Sequence, residues 1–225
     1  MTPSQISVVI PALNEEKSIG DAIESAFRAG AGEVILVDGG SRDRTIAEAE
    51  QRGVTKVVQS LPGRGIQLNA GATFVGPQQA VIVFLHADNR LTDHCLQQIC
   101  ESENLLWGAF RQSIDSGRWI YRLVELGNDL RVKCWRMPFG DQAIFVLKDE
   151  FRRRGGFEEI PLMEDVAFSK KMRRIAKPCL LQGPVQVSCR RWEKKGVVIQ
   201  TLQNWFLQAA YKLGVRPDTI RDWYR

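Results

Sequence analysis

Acidic residues end three of the apolar segments in the first ninety residues of the chain. They are Glu15, Asp38 and Asp88, and they follow the segments at 6–10, 34–37 and 81–85 respectively. A carboxylate after such a segment can accept from ribose hydroxyls, bind a base, or hold Mg²⁺ or Mn²⁺ on a diphosphate. Each residue alone is also an ordinary cap or turn former. The functional interpretation therefore depends on whether the three lie along one edge of a sheet.

The segments themselves predict a parallel sheet. Unbroken runs rich in Val and Ile are typical of strands that are covered on both faces. Helical patterns follow Asn14, Arg44 and Gly63, and Asn14 is expected to cap the first helix. Parallel strands bind ligands at their carboxyl ends. Together with the basic charge, the pattern predicts a metal-dependent nucleotide site there.

The second half of the chain predicts a mixed arrangement of strands and helices. Strands are expected at 105–112, 143–147 and 185–189, and helices at 118–135, 164–175 and 197–213. No linker, repeat or low-complexity tract interrupts the pattern. We therefore expect one α/β domain over residues 1–225, with helices on both faces of the sheet.

Two motifs in this half could carry chemistry. Glu164 and Asp165 begin a basic helix, which fits ordinary helix-dipole chemistry or a general base aimed into a cleft. The segment 190–192 contains two arginines and a tryptophan, which could grip a phosphate and stack on a sugar. It could equally be a solvated basic loop anchored by the indole.

Composition limits the classes of protein. The chain has 225 residues, 44% hydrophobic and 25% charged, which excludes overall disorder. Its net charge of +5 suits an anionic ligand, a nucleic acid or a membrane surface. The five cysteines form no C-x-x-C pair, so we expect buried thiols in a reducing cytoplasm. Neither a dinucleotide glycine motif nor a P-loop is present.

Several ordered blocks resemble those of family-2 glycosyltransferases, which have the GT-A fold. These blocks are residues 9–16, 37–43, 84–88 and 155–157, followed by Glu164-Asp165. Three further blocks, at 63–71, 139–142 and 190–192, resemble a bacterial subgroup associated with radical-SAM and selenium-domain proteins. The resemblance implies a nucleotide-sugar-binding half at 1–104 and an acceptor-binding half at 105–225.

The resemblance also implies roles for individual residues. The residues expected around the nucleotide-sugar are Pro11, Ala12, Asn14, Glu15, Asp38, Gly39, Arg64, Gln67, Asn69, His86, Ala87, Asp88 and Arg191. Those expected on the acceptor side are Asp141, Gln142, Glu164 and Trp192. Asp88 would coordinate Mg²⁺ or Mn²⁺, and Asp165 would be the general base of an inverting transfer. The implied partners are a nucleotide-diphosphate-sugar and an acceptor, without nucleic acid.

The chain departs from the family pattern at the metal motif, which is usually Asp-x-Asp. Here His86 stands at the position of the first acid. A silent nucleotide- or sugar-binding protein is therefore one alternative, and a nucleotidyltransferase is another. A third alternative is transfer to a polyprenyl phosphate at the inner membrane surface, which the basic second half and the helix containing Trp205 would suit.

Overall fold

The computed structural model describes residues 1–103 and 105–224, without the side chains of Arg191 and Lys194. In this part of the chain, eight strands form one sheet. The strands are β1 (Ile6–Ala12), β2 (Glu33–Asp38), β3 (Lys56–Gln59), β4 (Val81–Phe84), β5 (Asn89–Leu91), β6 (Trp107–Ile114), β7 (Phe145–Leu147) and β8 (Cys179–Val187). Their order across the sheet is β3-β2-β1-β4-β7-β6-β8-β5.

The α-helices cover the sheet and extend its carboxyl edge. They are α1 (Ile19–Arg28), α2 (Thr45–Gln51), α3 (Arg64–Thr73), α4 (Cys95–Glu101), α5 (Ile120–Trp135), α6 (Lys148–Arg153), α7 (Glu164–Met172), α8 (Arg190–Lys195), α9 (Val197–Lys212) and α10 (Pro217–Tyr224). Within the described ranges, none has the length and apolar content that crossing a bilayer requires.

The first four strands are parallel, which confirms the α/β prediction for this half. β1 pairs with β2 on one side and β4 on the other, and Ala12 lies opposite Asp38 at the carboxyl end. Every residue of β1, β2 and β4 is buried. Burial on both faces explains why these segments lack polar alternation.

The other strands make the sheet mixed, also as predicted. β7 is antiparallel to β4 and β6, β8 is parallel to β6, and β5 is antiparallel to β8. The carboxyl ends of β4 and β8 therefore share one edge of the sheet with the amino ends of β5 and β7. This is the edge at which Asp88 follows β4.

Three local expectations were wrong or incomplete. Asn14 does not cap α1: its backbone is left-handed at φ 56°, and the helix begins only at Ile19. The Asn14 amide oxygen instead accepts from the Arg42 N–H at 2.8 Å, which joins two loops. β5 was not predicted, and β8 begins six residues before the expected strand.

The two faces of the sheet pack two separate cores. Val8 and Ile10 of β1 face the core beneath α1, whereas Val9 faces the core beneath α3. On the second face, Phe151, Phe157 and Phe168 cluster with ring centroids 4.5 to 5.8 Å apart. This aromatic cluster holds the segments that precede and form α7.

Helix α3 lies unusually close to the sheet because of Gly71. A Cβ at this position would overlap Val9 and lie 2.7 Å from the Cγ2 of Val37. At the other end of α3, a Cβ at Gly65 would overlap the carbonyl oxygen of Glu158. The two glycines thus let α3 contact both the sheet and the segment that leads to α7.

Substitution of Gly71 tests this close packing. We expect Gly71→Ala to lower the free energy of unfolding by about 1–3 kcal/mol, because the added methyl overpacks two buried valines. Gly127→Ala in α5 is the matched control, since a Cβ there meets nothing within 4 Å. It should be neutral or stabilise by up to about 1 kcal/mol. Equal losses in urea unfolding of the two variants would contradict the packing argument.

Candidate active site

A pocket opens at the edge of the sheet where β4 and β8 end and β5 and β7 begin. Its ionisable lining residues, brought together from five separate segments, are Arg64, His86, Asp88, Asp141, Asp165 and Tyr224. Trp192 of α8 and the Gln200, Asn204 and Leu207 side chains of α9 form another wall. The structure therefore unites residues expected on the donor and acceptor sides.

Asp165 lies at the start of α7 and accepts hydrogen bonds on both carboxylate oxygens. Its Oδ2 accepts from the Gly140 N–H and its Oδ1 from the Val166 N–H, each at 2.7 Å. Backbone N–H groups at the amino end of a helix favour a negative charge. The side chain is therefore held in one orientation with spare lone pairs towards the pocket.

Gly140 brings the chain directly against Asp165 and His86. A Cβ at Gly140 would lie 2.9 Å from the Nε2 of His86 and 3.3 Å from the Oδ2 of Asp165. His86, in the turn after β4, and Asp165, on α7, therefore both contact the same short segment. Asp141, the next residue, faces the pocket, and its carbonyl oxygen accepts from the Asn89 amide at 3.0 Å.

Arg131 supports this segment from below, and sequence reasoning missed it. Its guanidinium donates to the carbonyl of Met137 and the side chain of Gln142, at 2.9 and 2.7 Å, and lies over the Phe139 ring. Burial lowers the pKa of Arg131 to about 10, while Asp141 and Asp165 oppose that shift. The only signal was a basic residue between two apolar positions of a helix.

Gln142 is fully buried and does not line the pocket. Its side-chain oxygen accepts from both Arg131 and the Phe139 N–H, while its amide donates to the Phe110 carbonyl at 3.3 Å. Its contacts position the 139–141 segment and leave no face towards an acceptor.

Glu164 is also buried, and it forms an ion pair with Arg64 at 3.0 Å. The Glu164 carboxylate raises the pKa of Arg64, so the guanidinium stays charged. Burial raises the pKa of Glu164, and Arg64 opposes that shift. Glu164 thus fixes Arg64, and Arg64 is the member of the pair that lines the pocket.

The residues expected around the nucleotide base lie outside this pocket, at the ends of β1 and β2. The Asp38 carboxylate accepts from the N–H groups of Gly40 and Ser41 at 2.9 and 3.0 Å, which shapes its own loop. The Glu15 N–H donates to the Thr45 hydroxyl at 2.8 Å. These loops are held together by hydrogen bonds next to the carboxyl edge.

Two amides of α3 bond to the backbone of neighbouring segments. Gln67 donates to the carbonyls of Ala12 and Val37, both at 2.9 Å, and lies against Gly39. Asn69 exchanges two hydrogen bonds with the backbone of Phe157. Pro11, Ala12 and Ala87 are buried in the same region. The side chain of Arg191 lies outside the described part of the structure.

The side chains that could coordinate a metal ion in this pocket suit a cation that enters together with a substrate. In the described residues, no three His, Cys, Asp or Glu side chains are placed to hold a metal together. Mg²⁺ is commonly bound by one or two carboxylates plus substrate phosphates and water. Asp88, half-buried at the pocket, fits that pattern, and His86 lines the same pocket.

A mixed α/β sheet with this pocket at its carboxyl edge defines a GT-A glycosyltransferase fold, shared with the solved structures described next. The model for the family described as Glycosyl transferase family 2 matches residues 7–154, and the chain belongs to that family. The narrower bacterial subgroup stays a prediction.

Two solved structures illustrate the fold. TarS 1-349 of S. aureus in complex with UDP-GlcNAc has a TM-score of 0.62 at 16% identity, over 81% of this chain and 58% of that one. Glucosyl-3-phosphoglycerate synthase from Mycobacterium tuberculosis, solved with Mn²⁺, UDP and glucosyl-3-phosphoglycerate, has a TM-score of 0.56 at 22% identity, over 81% and 69%.

Curated relatives match a shorter stretch. Glycosyltransferase AglJ of Haloferax volcanii is 39% identical over 64 residues, which is 28% of this chain and 21% of AglJ. The uncharacterized protein MJ1222 of Methanocaldococcus jannaschii is 39% identical over 62 residues, or 28% of this chain and 25% of MJ1222. The chain therefore matches about a quarter or less of the length of these relatives.

Removal of one partner tests the Arg64–Glu164 pair. Arg64→Ala leaves a buried carboxylate unpaired, and we expect a loss of about 3 kcal/mol at pH 8. Without Arg64, burial raises the folded-state pKa of Glu164 above its unfolded value. The folded state then takes up a proton as the pH falls, so the loss should shrink between pH 8 and pH 5.

The double variant Arg64→Ala with Glu164→Gln is the control for that pH dependence. It contains no carboxylate at this position, so its stability relative to wild type should change little between pH 5 and pH 8. Urea unfolding at both pH values distinguishes the variants. If Arg64→Ala lowers the free energy of unfolding by the same amount at both pH values, Glu164 is not a buried, unpaired carboxylate in that variant.

Proposed function

We propose that the protein is an inverting glycosyltransferase that moves a sugar from a nucleotide-diphosphate-sugar to an acceptor hydroxyl. One observation carries the proposal: Asp88 and Asp165 line the same pocket, in a chain of the Glycosyl transferase family 2. The first follows a strand of the parallel half, and the second begins a helix of the other half.

The nucleotide is proposed to lie along the ends of β1 and β2, with its diphosphate towards Asp88. Asn14, Glu15 and Asp38 surround that edge, and Arg64 offers a guanidinium fixed by Glu164. A fixed guanidinium suits phosphate oxygens. The UDP-GlcNAc complex of TarS and the UDP complex of the mycobacterial synthase support a uridine nucleotide as the first donor to test.

Asp165 is the proposed general base. Its carboxylate takes the proton of the acceptor hydroxyl as the hydroxyl oxygen forms a bond to the anomeric carbon. The bond from that carbon to the diphosphate breaks, and the nucleoside diphosphate leaves with the electron pair. Attack from the side opposite to the leaving group inverts the anomeric configuration.

Asp88, which lines the pocket together with His86, would hold a Mg²⁺ or Mn²⁺ ion that neutralises charge on the departing diphosphate. The Mn²⁺ in the mycobacterial synthase structure supports this choice of ion. Gly140 borders this part of the pocket, since any side chain at that position would contact His86, and Asp141 lines the pocket next to it. The segment at Gly140 thus lies against both Asp165 and His86.

The acceptor is proposed to lie against α8 and α9. That wall combines the Trp192 indole and Leu207 with the amides of Gln200 and Asn204. An aromatic face with a few amides is typical of sites that bind sugars or other polar molecules of mixed character. All five cysteines are free thiols, but the prediction that they are buried was wrong for all except Cys95, and Cys134 is exposed. Because free thiols are typical of reducing compartments, we also propose a cytoplasmic location.

Replacement of Asp165 by Asn tests the general base. We expect kcat to fall about 100- to 10,000-fold, because the amide cannot accept the hydroxyl proton. Turnover of UDP-sugars with Mn²⁺ and a panel of hydroxyl acceptors is the measurement. Asp149→Asn, at an exposed acid of α6, is the matched control and should keep wild-type turnover.

Near-wild-type turnover of Asp165→Asn would contradict the hydroxyl acceptor, since an ionised phosphate acceptor needs no base. Donor binding by the wild type without turnover of any donor or acceptor would instead indicate a silent nucleotide-sugar-binding protein.

Replacement of Asp88 by Asn tests metal binding separately from turnover. In the wild type at about a hundredfold excess over Kd, UDP with Mn²⁺ should raise the Tm by about 5–10 °C. The variant should lose the part of this shift that requires Mn²⁺. Asp93→Asn, an exposed acid five residues later, should retain it. If Asp88→Asn keeps the full Mn²⁺-dependent rise in Tm, Asp88 is not the metal ligand.

A further inference from the structure

The outer face of α9 is apolar and exposed. Val198, Leu202 and Trp205 recur at four- and three-residue intervals and expose 60%, 56% and 64% of their surface. Such spacing places side chains on one face of a helix. Gln200, Asn204 and Leu207 instead line the pocket. The helix is therefore amphipathic, with its apolar side directed away from the protein.

Neighbouring side chains extend this surface, which we call the α9 patch. It consists of Val198, Ile199, Leu202, Trp205, Phe206 and Leu213 of the α9 region with Trp223 of α10. The rings of Phe206 and Trp223 pack together at a centroid distance of 5.6 Å. Soluble domains rarely expose contiguous apolar surface of this kind unless it binds a partner or a membrane.

The charge around the α9 patch indicates which kind of partner it binds. From Glu193 to Arg225 the sequence contains six basic and three acidic residues, and no acidic residue lies between Glu193 and Asp218. Of the basic residues, Lys195 and Lys212 are exposed just before and at the end of α9. Each Lys or Arg near an anionic membrane surface contributes about 1 kcal/mol of attraction. Indole and phenyl side chains are those that enter the boundary between headgroups and acyl chains.

The same charges disfavour a second copy of the chain as the occupant. Two copies of α9 packed antiparallel through the patch would bring Lys195 of each copy towards Lys212 of the other. Like charges brought together at an interface weaken association. An anionic bilayer, by contrast, matches both the apolar side chains and the flanking cations.

We propose that the α9 patch docks the protein on an anionic lipid bilayer, with α9 lying along the membrane interface. Val198, Leu202 and Trp205 enter the boundary region, and Lys195 and Lys212 contact lipid phosphates and carboxylates. None of the side chains that would contact the membrane lines the pocket.

Vesicle co-sedimentation of the full chain tests the proposal. We expect wild type to bind phosphatidylcholine vesicles that contain phosphatidylserine, and to bind pure phosphatidylcholine at least about tenfold more weakly. The variant Leu202→Ser with Trp205→Ser should lose binding to the anionic vesicles by about tenfold or more. The variant Lys195→Gln with Lys212→Gln should lose most of the preference for anionic lipid.

Phe74→Ser is the matched apolar control, because Phe74 is 47% exposed at the end of α3, outside the patch. It should bind vesicles as wild type does. The Tm of each variant is measured as well, and a Tm equal to that of wild type excludes misfolding as the cause of lost binding.

Three outcomes would overturn the proposal. In the first, wild type binds neither vesicle. In the second, the Leu202→Ser, Trp205→Ser variant binds anionic vesicles as tightly as wild type. In the third, wild type sediments as a dimer without lipid and the Leu202→Ser, Trp205→Ser variant converts it to a monomer, which would make a second copy the occupant.

Discussion

The ion pair between Arg64 and Glu164 is the contact on which the pocket depends, because it joins residues one hundred positions apart in the two halves of the chain. The rest of α3 strengthens that connection. Gly71 brings the helix onto the sheet, Gly65 admits the Glu158 carbonyl, and Asn69 bonds the backbone at Phe157. Helix α7 is therefore placed by contacts from α3, and α7 in turn places Asp165.

A second set of contacts positions the opposite side of Asp165. Arg131 and Gln142 are buried beneath the 139–141 segment and fix its backbone, so that the Gly140 N–H reaches the Asp165 carboxylate. Neither residue meets a substrate under our proposal, yet both determine where the reacting groups stand. The precision of the site thus comes from buried polar side chains that bond to backbone, as expected where loops build a site.

Much of the fold and part of the site could be predicted from the sequence, for reasons visible in particular residues. β1, β2 and β4 are buried on both faces, so their apolar runs carry a strong local signal. β5 carries none, because Asn89 and Arg90 are polar and the strand exists only by pairing with β8. Gln67 and Asn69 were expected beside the nucleotide, which stays a prediction, and in the structure they bond to backbone. Sequence alone cannot distinguish a buried amide of that kind from one that binds a ligand.

Helix α9 has one side in the pocket and the other exposed to the surroundings, so the pocket wall is a single helix thick at this point. A helix with its side chains is about 10 Å across. Any acceptor group tethered to a surface on the outer side would have to pass around this one helix to enter the pocket that Asp165 lines. Helix α9 is therefore both a wall of the pocket and part of the outer surface.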